Sequence, residues 1–339
     1  MEAKLLRLIQ ESSRILVTSH TSPDPDAVAS VLLMGTTLKK NFSDKIIRLV
    51  LEEEPLGLES FAGYRMIEFR PLLSALGEGG INLLILLDGN NFGRFSRNDG
   101  DKLRDYVRAN KLPTVVIDHH QPAGKDEVGL YINQGSPATV QDVYELLFDG
   151  LGLEKPDGYA RTTMLGLYAD TGGFSYENKR HSDTLRLADS LIAAGVRIEE
   201  INNLINQYTP EDLRVLAELS ANADHTDDYN YSFIGDSYIQ DWLASGKTGA
   251  QLHKGTEAFL NDFLRNIGGR QWGFITYRHP LEKAKVYSAS FRSVNGVKDV
   301  SKLAASLGGG GHTGAAGAKF EAESVEDAIE KVKQAIAAF

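Results

Sequence analysis

The stretch RILVTSHTSPDPDAVASVLLMGTTLKK, residues 14–40, decides how the chain is read. An apolar run of strand length, RILVT (14–18), leads into a polar turn and then a helix pattern, DAVASVLLMGTTLKK (26–40). The run is continuously apolar rather than alternating, as a parallel strand covered on both faces requires. Between strand and helix, HTSPDPDAVAS (20–30) crowds His20, Asp24 and Asp26 together, with Pro23 and Pro25 stiffening the chain between them. Asp before Pro favours a turn, and Asp caps helices well. One imidazole and two carboxylates behind a buried strand equally suit a metal site. This stretch alone supports both readings.

The same alternation continues outward. IIRLV (46–50), LLILL (83–87), TVVI (114–117) and LYI (130–132) read as further strands, and SPATVQDVYELLFDG (136–150) as a helix. The pattern predicts an α/β fold whose N-terminal domain, residues 1–190, holds a mostly parallel, Rossmann-like sheet with right-handed crossovers. Ligands of such sheets bind outside the carboxyl ends of the strands. A helical region follows from about 157 to 224, broken at Gly195 and at Thr209-Pro210; its part 191–224 reads as a connector. The helix PEDLRVLAELSAN starts at Pro210, with Glu211 and Asp212 suited to its N-terminal dipole. Residues 225–339 read as a smaller α/β domain with strands YSFIG (231–235), QWGFITYR (271–278) and KVYSASFRS (285–293) and a closing helix over 323–339. The expected active site is a cleft between the two domains.

Composition narrows the function classes. Of 339 residues, 46 are acidic and 36 are Lys or Arg, a net charge of −10. Proteins that grip long nucleic acid carry a basic footprint, because phosphate neutralisation supplies much of their affinity. A small charged substrate held by local cations or metal ions fits this balance instead. The chain has no cysteine, which excludes disulfides, thiolate metal sites and cysteine nucleophiles. The N-terminus, MEAKLLRLIQESSR, is an amphipathic helix pattern without a signal-peptide core, and LLILL is far too short to span a bilayer. A cytoplasmic protein without a membrane partner is the expectation, and a homodimer is compatible with it.

If His20, Asp24 and Asp26 bind metal, further ligands should lie at other strand ends. LLILLDG places Asp88 directly after its strand, and TVVIDHHQ places Asp118, His119 and His120 after the next. LGLYADTGGFSYEN ends an apolar helix pattern at Asp170, before Gly172 and Gly173. Taken singly, each Asp has an ordinary reading as a turn residue or helix end, and a His pair as surface or satisfied core. Their coincidence at three strand ends and one helix end reads as one site. This donor set suits two divalent ions clamping the attacking and leaving oxygens of phosphoryl transfer. Mixed carboxylates and imidazoles favour Mn²⁺, with Mg²⁺, Co²⁺ or Zn²⁺ as substitutes. Residues two apart in an extended or turn segment project to one side, so Asp24 and Asp26 could each take one ion, with Asp88 placed to bridge them.

Together the HxxPDPDA, DHH and ADTGGF elements, with Asp88 between the first two, resemble the DHH phosphoesterase superfamily. SFRSVNGVKDVSKLAASLGGGGHTGAAG (290–317) resembles that family's C-terminal substrate-binding domain, with its GGGH element and a preceding arginine. The resemblance implies that His20, Asp24 and Asp88 hold the first ion, and Asp26, Asp88, His119 and Asp170 the second. His120 would contact the scissile phosphate, and Asp118 would orient a ligand histidine. The attacking group would be a water or hydroxide between the ions, with its pKa lowered by them. No protein nucleophile is needed, in keeping with the absence of cysteine and of a GxSxG elbow.

GGGGH (308–312) reads either as a flexible linker or as an anion-binding concavity of successive N–H groups. With the family match it reads as a second phosphate contact through Gly309, Gly310, Gly311, His312 and Arg292. Arg94, in DGNNFGRFS, is either a further substrate contact or a solvated surface arginine. The architecture resembles the nano-RNase and pAp phosphatase type, whose members act on short oligoribonucleotides and adenosine 3′,5′-bisphosphate. Alternatives are a soluble cyclic-di-AMP phosphodiesterase, an exopolyphosphatase, a pyrophosphatase, and a nucleotide sensor with a vestigial site. The sensor reading requires a lost ligand, and none is missing. The pyrophosphatase reading lacks its basic substrate motif here.

Overall fold

The computed structural model describes the chain except for Leu56, Arg97, residues 121–128, Glu177, residues 281–284 and Asn295, and the side chains of Ala250 and His312. It divides into two compact units, Met1–Gln207 and Tyr208–Phe339. The boundary falls inside the expected connector. Ile201 and Leu204 are buried in the core of the first unit, whereas Val215 and Leu219 are buried in that of the second. Apolar faces at both ends of 191–224 therefore divide that stretch between the two units.

The first unit holds a six-stranded sheet of β1 (Arg14–Ser19), β2 (Ile46–Leu51), β3 (Ile67–Phe69), β4 (Leu83–Leu87), β5 (Thr114–Ile117) and β6 (Leu130–Ile132). Their order is β3-β2-β1-β4-β5-β6, and every pairing is parallel. Successive strand residues serve opposite faces. Ile15, Val17, Ile85, Leu87, Val115 and Ile117 pack under Pro25–Asn41, Thr139–Tyr144 and Tyr159–Asp170. Leu16, Leu84, Leu86 and Val116 pack under Leu72–Gly77 and Gly100–Ala109. That two-sided burial is why the strands read as unbroken apolar runs, each fully buried Leu or Ile contributing about 1.5–3 kcal/mol. From β1 the chain winds outward to β2 and β3, then returns to β4 on the opposite side of β1. The crevice between the carboxyl ends of β1 and β4 is thus the topological switch point. β3, three residues with Glu68 at its centre, lacks the unbroken apolar run by which the other strands are read.

The second unit holds a mixed sheet of β7 (Asp224–His225), β8 (Asn230–Ile234), β9 (Trp272–Arg278), β10 (Val286–Ser293), β11 (Gly310–His312) and β12 (Ala315–Glu321), in the order β11-β12-β10-β9-β8-β7. Only β8 and β9 run parallel; the other pairs are antiparallel. Val300–Ser306 and Val325–Ala337 cover one face, Pro210–Ala221 and Asp236–Ala244 the other. Helix Pro210–Ala221 starts where the sequence predicts, closed by a reciprocal capping box between Thr209 and Asp212. No helix among the described residues is long and apolar enough to cross a membrane.

Candidate metal centre

Asp24 is compatible with both readings of the opening stretch, a helix cap through one oxygen and a member of the candidate ligand cluster through the other. It is the N-cap of helix Pro25–Asn41, with Oδ1 accepting from Ala27 N (2.9 Å), while its Oδ2 lies 3.7 Å from His20 Nε2. Two residues on, Asp26 is in the first helical turn and fully buried. The backbone N–H groups of Thr139 and Val140, free at the start of their own helix, donate to its two oxygens (2.7 and 3.0 Å). The proximity of Asp24 and Asp26 thus comes from a helix start, where the sequence reading allowed an extended or turn segment.

Asp88, directly after β4, has a φ of 56°, a left-handed conformation uncommon outside glycine and one that concentrates at functional sites. Its two oxygens face different neighbours. Oδ2 lies 3.3 Å from His20 Nε2, whereas Oδ1 lies 3.4 Å from His119 Nε2 and accepts from Thr139 Oγ1 (3.0 Å). His119 Nε2 is also 3.5 Å from Asp170 Oδ2, at the end of helix Tyr159–Asp170. All six expected metal ligands therefore converge on the switch-point crevice. Candidate ligand atoms of His20, Asp24 and Asp88 lie within 4.8 Å of one another, and so do those of Asp26, His119 and Asp170. Asp88, His119 and His120 form a third such group.

Asp118 does not hold a ligand histidine of either expected set. Its Oδ1 is 2.8 Å from Nδ1 of His120, the histidine assigned to the phosphate, and its Oδ2 accepts from Tyr131 OH (3.0 Å). Asn133 Nδ2 donates to the His120 carbonyl (2.8 Å). Arg94 joins the site's margin through its backbone, its carbonyl accepting from Thr21 N (2.7 Å) in the His20 loop. Thr139, Tyr131 and Asn133 escaped the sequence reading. The cluster SPAT before a helix pattern signals only capping.

The electrostatics of the crevice call for added positive charge. Burial raises Asp26 and Asp170 well above the usual carboxylate range, and their mutual repulsion and that of Asp88 and Asp24 add to it. Burial opposes ionisation of Asp88 too, but the three neighbouring histidines more than offset this and hold its pKa below the ordinary value. Burial, helped by the neighbouring His120, pulls His119 down against the opposing pull of Asp88, Asp118 and Asp24. For His20 burial acts against the imidazolium, yet Asp24 and Asp88 outweigh it and push the pKa up to about 10.

His20 Nε2 is the decisive atom. Nδ1 lies 2.8 Å from the Thr21 carbonyl, which can only accept, so Nδ1 carries a proton. Nε2 is buried without a hydrogen-bond partner and faces two carboxylate oxygens. Three acceptors directed at one point are stable only around a proton or another cation. The donor set and this orphaned nitrogen fit a divalent ion there.

Packing enforces the arrangement from behind. At Gly166, where helix Tyr159–Asp170 crosses the start of Pro25–Asn41, an added Cβ would sit 2.5 Å from Asp26 Oδ1 and 2.9 Å from Asp26 Cα. Gly166→Ala should therefore displace Asp26. We expect a loss of about 1–3 kcal/mol in stability, read by thermal melting, together with weakened Mn²⁺ binding, read by calorimetry. Unchanged Mn²⁺ affinity would show that Asp26 is not a ligand.

In the second unit, Arg292 on β10 is already engaged. Nη2 lies 2.6 Å from Glu257 Oε2, Nε donates to Asn261 Oδ1 (3.0 Å), and Nη1 to the Phe291 carbonyl (3.1 Å). Glu257 and Asn261 were not anticipated, being more than thirty residues away in sequence. The glycine run is partly strand: Gly308 lies in a turn after helix Val300–Ser306, and Gly310–His312 forms the edge strand β11, antiparallel to β12. A Cβ at Gly309 would lie 2.1 Å from the Gly317 carbonyl, and at Gly311 (φ 145°) 2.6 Å from that of Ala315. These two glycines thus permit close strand approach, whereas Gly310 has open space about its Cα. The side chain of His312 lies outside the described residues.

Residues 14–168 match the DHH family, N-terminal domain, and residues 236–338 match the DHHA1 domain. The bifunctional oligoribonuclease and PAP phosphatase NrnA of Thermus thermophilus is 26% identical, over 98% of this chain and 92% of its own. A probable manganese-dependent inorganic pyrophosphatase of Streptococcus equi subsp. equi is 28% identical, but over only 56% of this chain and 58% of its own. Among solved structures, an exopolyphosphatase-related protein from Bacteroides fragilis shares the fold with a TM-score of 0.79 at 22% identity, covering 99% of this chain and 95% of that one.

Proposed function

Because the chain belongs to the DHH phosphoesterase superfamily, a DHH domain followed by a DHHA1 domain, we propose that it hydrolyses short oligoribonucleotides and adenosine 3′,5′-bisphosphate with two divalent ions, Mn²⁺ foremost. The observation that carries the metal chemistry is His20 Nε2, orphaned between two carboxylates in a crevice whose other carboxylates repel one another. His20, Asp24 and Asp88 would hold one ion; Asp26, Asp88, His119 and Asp170 the other. When bound, such a pair supplies Lewis acidity toward phosphoryl oxygens and makes water a stronger nucleophile at neutral pH.

The chain's own groups do the rest. Asp118 orients the His120 ring, so that His120 can meet the phosphate oxygen or protonate the leaving group. Arg292, pre-oriented by Glu257 and Asn261, supplies a bidentate-capable cation for a further substrate phosphate. The charge of −10 disfavours a long polyanion, and the full-length similarity to NrnA favours a short nucleotide.

The test is a side-by-side turnover assay with Mn²⁺ on pAp, pApA, longer oligoribonucleotides and cyclic dinucleotides. The expected result is fastest turnover of pAp and the short linear chains, with Arg292→Ala raising KM more than it lowers kcat. Preference for a cyclic dinucleotide would move the assignment to a cyclic-dinucleotide phosphodiesterase. A pure kcat loss in Arg292→Ala would remove Arg292 from substrate binding.

A further inference from the structure

Three segments carrying proposed ligands meet on one residue that is not itself a ligand. Thr139 is fully buried at the first position of its helix. Its hydroxyl donates to Asp88 Oδ1 (3.0 Å) and accepts from the His119 backbone N–H (3.3 Å), while its own N–H donates to Asp26 Oδ2 (2.7 Å). It thereby ties the end of β4, the end of β5 and the first turn of Pro25–Asn41 together. Its β-branched side chain has few rotamers, which suits a group that must hold two partners at once.

The contact is also asymmetric. Asp88 Oδ2, facing His20, takes no hydrogen bond from Thr139; Oδ1, on the side of His119, does. We infer that Thr139 is a positioning residue that fixes the Asp88 Oδ1 and His119 edge of the centre, and so sets occupancy of the second cation site selectively over the first. The inference rests on the two-cation reading and adds to it how the shared carboxylate is held. Without the hydroxyl, Asp88 rotates more freely about Oδ1 and the His119 N–H loses its acceptor. The His20, Asp24 and Asp88 Oδ2 edge keeps its contacts, and the Thr139 N–H still grips Asp26.

The experiment is a calorimetric Mn²⁺ titration of the full chain as wild type, Thr139→Val and Thr139→Ser. Valine keeps the shape and the backbone N–H but not the hydroxyl; serine keeps the hydroxyl. We expect one Mn²⁺ to bind Thr139→Val as it binds wild type and the other to weaken about 10–100-fold, with kcat falling at near-constant KM. Thr139→Ser should restore both. If the valine variant melts well below wild type in EDTA, Thr139→Ala replaces it in the same titration. Two wild-type affinities in the hydroxyl-free variant, or equal weakening of both, overturns the inference. A wild-type chain that binds no Mn²⁺ is a different result and overturns the two-cation reading itself.

Discussion

Asp88→Asn should abolish Mn²⁺-dependent hydrolysis, with kcat/KM falling by at least about 10³-fold, or roughly 4 kcal/mol of transition-state stabilisation. Asparagine tolerates the left-handed backbone that Asp88 adopts at φ 56°, so the loop should keep its course. Its one remaining oxygen can still accept from Thr139 Oγ1. The atom then facing His20 is an amide nitrogen, a donor with no lone pair for a cation. The variant should therefore bind at most one Mn²⁺ by calorimetry and give an unchanged far-UV circular dichroism spectrum. The large effect follows from sharing. In the proposed two-cation assignment Asp24 or Asp170 would serve one ion, whereas Asp88 is the carboxylate whose oxygens face both His20 and His119. A variant that binds two ions and retains turnover within tenfold of wild type would show that Asp88 bridges nothing.

Asp88 is also the most legible of these residues in the sequence, and the reason is physical. A parallel strand buried on both faces is an unbroken apolar run, so the first carboxylate after LLILL stands out. The same holds for Asp118 and His119 after TVVI and for His20 after RILVT. What was hidden lies in side-chain direction and in long-range pairing. That Asp118 turns to His120 and not to His119 depends on loop torsions that residue order does not reveal. Thr139 looks like an ordinary residue at a helix start; its work is done on partners 20, 51 and 113 positions away. Arg292 reads as a free cation until Glu257 is found beside it. Gly309 and Gly311 announce a close backbone approach without saying to what, and the answer is a neighbouring strand. The short strands β3, β7 and β11 read IEF, DH and GGH and hold no unbroken apolar run to mark them, whereas the equally short β6, LYI, is apolar throughout.

Removing and restoring the metal should produce the second large effect, and its pH dependence has a definite sign. In the metal-free chain, His20 carries its proton up to about pH 10, against about 6.5 when unfolded. A histidine raised in this way contributes stability that is complete below about pH 6.5 and is lost as pH rises toward 10. Asp26 and Asp170 act in the same direction, because folded carboxylates with raised pKa values must be ionised in a buried, crowded crevice as pH rises. The EDTA-treated protein should therefore melt progressively lower between pH 6.5 and 9. Mn²⁺ replaces the proton at His20 Nε2, so each such proton released strengthens apparent binding by about tenfold per pH unit over this window. At Mn²⁺ a hundredfold above its Kd, linkage supplies about 2.7 kcal/mol, a rise in melting temperature of roughly 5–10 °C for a unit of this size. The gap between the metal-loaded and EDTA-treated melting curves should thus widen with pH, and one proton or more per chain should be released on Mn²⁺ addition in weakly buffered solution. A gap that stays constant or narrows would mean that His20 Nε2 is not where the cation binds, since a cation there must displace the proton held between Asp24 and Asp88.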